Sequence, residues 1–513
     1  MAKTTETYDV PRGAAYLTSQ QVILYATYFV FYVILARVLT PLEVGLVAVL
    51  GLAQALFAGV TSGSLPSAAT RFISRSIGAG DPYAAGGVAR TILRMSFAFA
   101  LPGLAVAGLL SPFLGGFIRG ASDATSLLLV TFAASFFLDI VNIYTAFFQG
   151  VGRYGLTVYQ NVVYALLSRG LGLALAYVGF RVLGIVAGWA IAGVTTIFLS
   201  LYLWRGRLPK GGSYPVRPLI AFSMPVFAST LIIVGQQWGD IGIIYALLGP
   251  AILGPYYVVV ASVSFLSALW APVNQAIYPA LSASHSTGDT RAVSEKLAVA
   301  FRLTNLAVLP IGAALAAITP TALDIVYGPK YASQTLTLSV LSLASVFTAQ
   351  GALLVTTLQA VGRTRQYLGV TLASTVIYLV IVGLGAIPIG TLAGAIGRAV
   401  LAISIVALAR RSLHNTVSTN TSAAMFKAIP LAAAVAIPIF VVDLYFLTYR
   451  PLRLRAIYQF VILLGIFVVT YAAASRQLKV FHHRDFAILH GALPTRLQPY
   501  LRMIQRLVIS DKS

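Results

Sequence analysis

Cysteine is absent from the 513 residues. That excludes disulfides, thiolate metal sites and cysteine nucleophiles, and it leaves the compartment open. Charge is scarce too: 9% of the residues are charged, against about 25% in soluble proteins. The five histidines, His285, His414, His482, His483 and His490, fall in loops or tail. No nucleophile–base pair can be assembled from them. Asp-x-Asp, a long outer loop and the Gly-Lys-Ser/Thr of a phosphate-binding loop are all missing, which argues against a membrane glycosyltransferase or sugar ligase. The sequence therefore reads as a non-enzyme.

What fills the chain is apolar. Hydrophobic residues make up 58%, against about 45–50% in soluble domains. No soluble core can hide that much, so lipid is the expected solvent. The first apolar run, 14–36, lacks a small-residue cleavage site and reads as a retained helix rather than a signal peptide. Net charge is +22. In a soluble protein this would point to nucleic acid. Among membrane spans it points to basic loops on one face, with membrane lipids and no nucleic acid as partners.

Apolar spans lie at 14–36, 42–65, 92–113, 126–148, 158–178, 183–203, 218–247, 251–280, 301–319, 334–358, 367–387, 389–409, 428–447 and 456–474. Each is near the ~20 residues that cross a bilayer. The alternate segments outside the membrane hold only Arg37, Arg119, Arg181, Lys330, Arg450, Arg453 and Arg455. The inside segments and tail hold almost all the other basic residues. This positive-inside pattern predicts an even number of helices and two cytoplasmic termini. The expected location is the cell membrane.

The chain repeats itself at a shift of about 208 residues. Gln149-Gly-Val-Gly-Arg153 returns as Gln359-Ala-Val-Gly-Arg363. Gly80-Asp81 returns as Gly288-Asp289, Pro41 and Gly45 as Pro250 and Gly254, and Gly184 to Gly188 as Gly390 to Gly394. Six spans separate each pair, so the copies run parallel. The fold class is thus an all-α integral membrane protein of about 14 transmembrane helices, with two parallel six-helix lobes and two C-terminal helices. The domain reading is 1–207, 208–412, 413–475 for the two extra helices, and 476–513 for a basic cytoplasmic tail. That tail mixes Arg484, Arg496 and Arg502 with Phe481, Phe486 and Leu493, a pattern for lying on the membrane. Gly-x-x-x-Gly pairs read as close helix packing.

Several segments resemble one family. Leu35-Ala-Arg-Val-Leu-Thr-Pro-Leu-Glu-Val-Gly45 and Arg71-Phe-Ile-Ser74 with Gly80-Asp81 are similar to polysaccharide flippases of the multidrug/oligosaccharidyl-lipid/polysaccharide exporter superfamily. So are Asp240 with Leu248-Gly-Pro250, Ile277-Tyr-Pro-Ala-Leu-Ser282, and Val326-Tyr-Gly328 with Tyr331-Ala332. The resemblance covers about the first 410 residues. It implies two lobes around a central cavity, and alternating access. The cargo it implies is an anionic polyprenyl-phosphate- or pyrophosphate-linked oligosaccharide, moved by a monomeric transport unit. It implies no cofactor, though relatives couple to Na⁺ or H⁺. A multidrug cation antiporter of the same superfamily is the alternative. Against it, span 1 lacks the acidic residue such proteins use.

Charged groups inside lipid ask for a reason. Arg169 and Asp139 lie roughly 17 and 14 Å from the inner ends of spans 5 and 4 at about 1.5 Å per residue. Adjacent antiparallel helices could pair them. Such a pair is either a structural salt bridge or a cavity arginine for phosphate, held or released by Asp139. Arg398 in span 12 has no acidic neighbour in sequence and reads as facing the cavity or snorkelling to the interface. With Arg169 it could clamp a diphosphate. Gln20 and Gln21 in span 1, Gln236 and Gln237 in span 7, and Asn142 one turn from Asp139 read as cavity walls or interhelical bonds. Asp240 is the candidate for cation coupling. Asp443 is expected at headgroups or Arg450.

Overall fold

The computed structural model describes residues 10–209, 211–414, 422–448, 453–477 and Gln505. Apart from Arg476, Gln477 and Gln505, the basic tail proposed to lie on the membrane falls outside the described residues, as does Arg450. Every regular element among the described residues is helical. The helices are α1 (Val10–Val38), α2 (Pro41–Thr61), α3 (Leu65–Gly78), α4 (Pro82–Gly115), α5 (Ala124–Gly150), α6 (Tyr154–Leu175), α7 (Arg181–Trp204), α8 (Val216–Leu248) and α9 (Pro250–Ser264). They continue with α10 (Ser267–Ser286), α11 (Thr290–Ala317), α12 (Thr319–Val326), α13 (Thr335–Ala360), α14 (Thr364–Ile389), α15 (Leu392–Leu413), α16 (Ser422–Thr448) and α17 (Arg453–Gln477).

Eleven described stretches are long and apolar enough to span a membrane. One of them, Tyr154–Trp204, is two spans: the chain turns back at Gly179 (φ +119°), and α7 packs against α6. A side chain at Gly188 would come within 2.4 Å of the Gly172 backbone, so glycine is what lets the two helices touch. A further span is the pair α9–α10, bent by 50°. The last is the apolar part of α16, Ile429–Tyr445. Counted so, helices answer to all fourteen expected spans, and this is a multi-pass membrane protein.

The repeated motifs turn out to be helix punctuation. Gly80 and Gly288 adopt φ +75° and +76°, values that suit a residue with no Cβ. Asp81 and Asp289 follow them, and each accepts from the backbone N–H three residues on, at 2.8 Å, so starting α4 and α11. Pro41 to Gly45 and its copy Pro250 to Gly254 meet each other. A Cβ on Gly45 would lie 1.9 Å from the Pro250 carbonyl oxygen, and one on Gly254 would lie 1.8 Å from that of Pro41. Only glycine at both positions allows this reciprocal crossing of α2 and α9.

The chain forms two compact units, Met1–Val258 and Val259–Ser513. In the first, α5 is the central helix, packed by α2, α3, α4 and α7. The short helix α3 packs into this unit on α4, α5 and α8; the hydropathy reading left its residues as loop. In the second, α16 and α17 pack on α11 and α13 through Leu309, Val346, Ile439, Leu463 and Phe467. Asp443 corrects an expectation here. It is buried rather than turned to headgroups, because α12 and α17 both bring donors to it. The Thr321 amide (3.0 Å), the Thr321 hydroxyl and Gln459 Nε2 (2.7 Å) all bond its carboxylate.

Candidate functional site

Helix α5 carries a polar stripe in its second half: Asp139, Asn142, Thr145 and Gln149. Steps of three and four residues put them on one face. That face borders a cavity of about 450 Å³ in the first unit. Ala55, Ala58 and Gly59 of α2 oppose it and, being small, leave room. Ser62, Ser67, Thr70 and Thr230 add hydroxyls from the start of α3 and from α8. Ser64 Oγ lies 3.2 Å from Thr230 Oγ1 and ties α3 to α8 at this wall. Among the described residues no lysine or arginine lines the cavity, and Asp139 is the one titratable lining residue.

Asp139 is 4% exposed. Its Oδ2 lies 2.5 Å from Thr61 Oγ1, which also lies 2.9 Å from the Phe57 carbonyl oxygen. Its Oδ1 has no protein partner. Thr145 joins the cavity wall to α6: its hydroxyl is 3.2 Å from Asn161 Oδ1 and accepts from Gln160 Nε2 at 2.9 Å. Asn161 in turn donates to Gln20 Oε1 at 3.5 Å. Gln20 thus reaches the wall residue Thr145 through one intermediate, Asn161, while Gln21 is half-buried.

Arg169 and Asp139 are not paired, which corrects the expected salt bridge. Helix α6 packs its Arg169 face on α1, whereas Asp139 turns to α2. Arg169 Nη1 donates to the Leu24 carbonyl at 3.0 Å and to the Thr27 hydroxyl, and the guanidinium carbon stands 5.4 Å over the Tyr28 ring. Nε and Nη2 bond no described protein group, so half of the fork remains available. Arg169 does not line the cavity.

Asp240 is fully buried and accepts from the Tyr256 hydroxyl and the Ile241 amide (2.9 Å). Gln236 is half-buried and Gln237 exposed on the same helix. Arg398, in the second unit, is half-buried in α15. The sequence reading named Asp139 and Asn142 but missed Thr61, Thr70, Thr145, Gln149, Gln160 and Asn161. The spacing of α5 was the available signal for Thr145 and Gln149. Nothing local marks Thr61 or Thr70, because helix contacts bring them in.

A family model described as polysaccharide biosynthesis protein matches residues 10–285, more than half of the chain. No curated protein matches by sequence. The fold is similar to that of the lipid II flippase MurJ in an inward closed conformation, with a TM-score of 0.68 at 13% identity, covering 90% of this chain and 98% of that one. It is also similar to an inward-facing multidrug resistance MATE family transporter of the MOP superfamily (TM-score 0.62, 17% identity, 78% and 96% covered). A third likeness is a MOP superfamily transporter from Pyrococcus furiosus described by the reversed polarity of its binding pocket (TM-score 0.55, 16% identity, 81% and 99% covered). By its sequence, the chain belongs to the polysaccharide biosynthesis protein family.

Proposed function

We propose that the protein is a flippase for a saccharide linked to a polyprenyl phosphate or pyrophosphate, moving it from the cytoplasmic to the outer leaflet of the cell membrane. The observation that carries this is the cavity: a hydroxyl- and amide-lined space among apolar helices. A sugar presents many hydroxyls that both donate and accept, which is what Asn142, Thr145, Gln149 and Thr70 match. Its size is in the range of small-ligand sites, about 300–1,000 Å³. A polar wall at membrane depth is costly unless it has a partner, and cargo supplies one.

Arg169 fits the anionic end. Two N–H directions remain on its fork, and phosphate oxygens take them in charge-assisted pairs. Arg398 is the corresponding candidate in the second unit. Exposed Arg71 and Arg75, one turn apart on α3, offer a basic rim to an anionic lipid. Charge asymmetry supports a reading with both termini in the cytoplasm, in which the transport unit is one chain working by alternating access.

A second reading, a multidrug cation transporter, draws on the MATE-like fold and on Asp139 as a lone acid in the cavity. One assay separates them. The purified protein in proteoliposomes should expose a lipid-linked oligosaccharide to the opposite leaflet. Accumulation of a cationic dye, with no movement of the lipid, would overturn the flippase reading.

A further inference from the structure

The wall of the first-unit cavity is rich in acceptors. Thr70, Thr145 and Thr230 each have a carbonyl oxygen of their own helix within bonding distance, at 3.2, 3.1 and 3.0 Å. A hydroxyl has one hydrogen. With that hydrogen on the backbone, each threonine has lone pairs left for cargo. Asp139, 4% exposed, adds Oδ1, which bonds no protein group. The side-chain amides of Asn142 and Gln149 can donate or accept. We propose that this cavity takes the sugars of a non-acidic saccharide and turns away sugars that carry carboxylate, sulfate or phosphate, with Asp139 setting that choice. This rests on the flippase reading and narrows its cargo.

Charge placement agrees. Among the described residues no lysine or arginine lines the space. Arg71, next in sequence to the lining residue Thr70, stacks over Phe222, its guanidinium carbon 4.4 Å from the ring centroid. Arg169 is bonded to α1. A neutral sugar brings hydroxyl hydrogens to the lone pairs of the threonines and of Asp139 Oδ1. An acidic group brings acceptors only. It would meet the Asp139 carboxyl and the threonine oxygens with no lining cation to pair it, and an unpaired anion at membrane depth is costly. Like charges set side by side are one means by which a site refuses a wrong partner. The phosphate of the carrier is exempt, because Arg169, the group that fits it, stands off the cavity lining.

The α2 side of the cavity suits a sugar in a second way. Ala55, Ala58 and Gly59 offer small apolar surface to the C–H face of a pyranose ring, while α5 offers polar groups to its hydroxyl edge. A Cβ on Gly59 would meet Val234 at 3.6 Å, an ordinary contact. Helix packing therefore does not demand glycine here, as it does at Gly45, and the missing side chain is added room for a ring.

The test uses lipids built on one polyprenyl pyrophosphate and alike except at C6 of the terminal hexose: a glucosyl lipid (alcohol), a glucuronosyl lipid (carboxylate) and its glucuronamide (neutral amide). In proteoliposomes the full-length wild type should flip the glucosyl and glucuronamide lipids at similar rates, and the glucuronosyl lipid at least about tenfold more slowly. Asp139→Asn should bring the glucuronosyl rate toward the glucosyl rate. Should that variant fail to fold, Asn142→Lys, which sets a cation on the same face of α5, should raise the glucuronosyl-to-glucosyl ratio instead. Equal wild-type rates for these two lipids would overturn the proposal. A glucuronamide as slow as the glucuronosyl lipid would overturn it too, since size rather than charge would then decide. So would a ratio unmoved in the folded variants. Movement of none of the lipids would fail the flippase reading, and this one with it. Loss of discrimination among lipids that do move fails this one alone.

Discussion

Two buried aspartates define two kinds of region in this membrane protein. Asp443 of α16 is surrounded by donors: a backbone amide, a hydroxyl and a side-chain amide. Both its oxygens are bonded, and Thr321 has no competing acceptor in this arrangement. It fastens the two C-terminal helices to α12. Asp139 of α5 has one neighbour, Thr61, which a second acceptor also claims, and one oxygen with none. Burial alone does not separate the two carboxyls. The number of donors does: the first carboxylate closes a joint between helices, and the second keeps one oxygen unbonded in the wall of the cavity.

The comparison can be broken by mutation, and the largest effect is expected at the fastener. Asp443→Ala removes three bonds and leaves the Thr321 amide unmade. Loss of about 2–3 kcal/mol is expected, at about 1 kcal/mol per interhelical bond. A shifted unfolding midpoint in detergent micelles would report it, while flipping per folded molecule should hold. Arg169→Ala removes two interhelical bonds to α1 and should cost about 1–2 kcal/mol by the same count, while slowing flipping per folded molecule by about tenfold or more, equivalent to about 1.4 kcal/mol. Arg169→Lys should recover only part, because the ammonium lacks the fork. Transport by Arg169→Ala at the wild-type rate would remove it from the anion site. Gln459→Leu should cost about 0.6–1 kcal/mol in the same unfolding assay, with transport unaltered. The smallest stability effect is expected at Thr61→Val, about 0.6 kcal/mol or less. If Thr61→Val proves as destabilising as Asp443→Ala, the two aspartates are alike and the distinction falls.

Much of the fold was legible because lipid enforces it. A span needs its length of apolar residues, and positive charge marks one face. The duplicated landmarks were legible because helix starts need particular residues: Gly80-Asp81 and Gly288-Asp289 perform one backbone task twice. Asp139 and Asn142 could be found because a polar residue stands out in an apolar helix. The rest depended on rotation about helix axes. Equal depth in the bilayer suggested that Arg169 and Asp139 pair, yet α6 turns its arginine to α1 and α5 turns its acid to α2. Depth is set by sequence position; facing is set by packing with every neighbour. Helix α3 was missed for a related reason. Its residues are too polar for a hydropathy reading, though Leu65, Ala68, Ala69 and Ile73 bury one face of it.

The most direct measurement of the central claim is the initial flipping rate, in proteoliposomes, of a saccharide-bearing polyprenyl pyrophosphate against the same lipid without sugar. A cavity that recognises hydroxyls predicts a rate at least about tenfold higher for the saccharide-bearing lipid. Equal rates, or movement of neither lipid, would contradict the account.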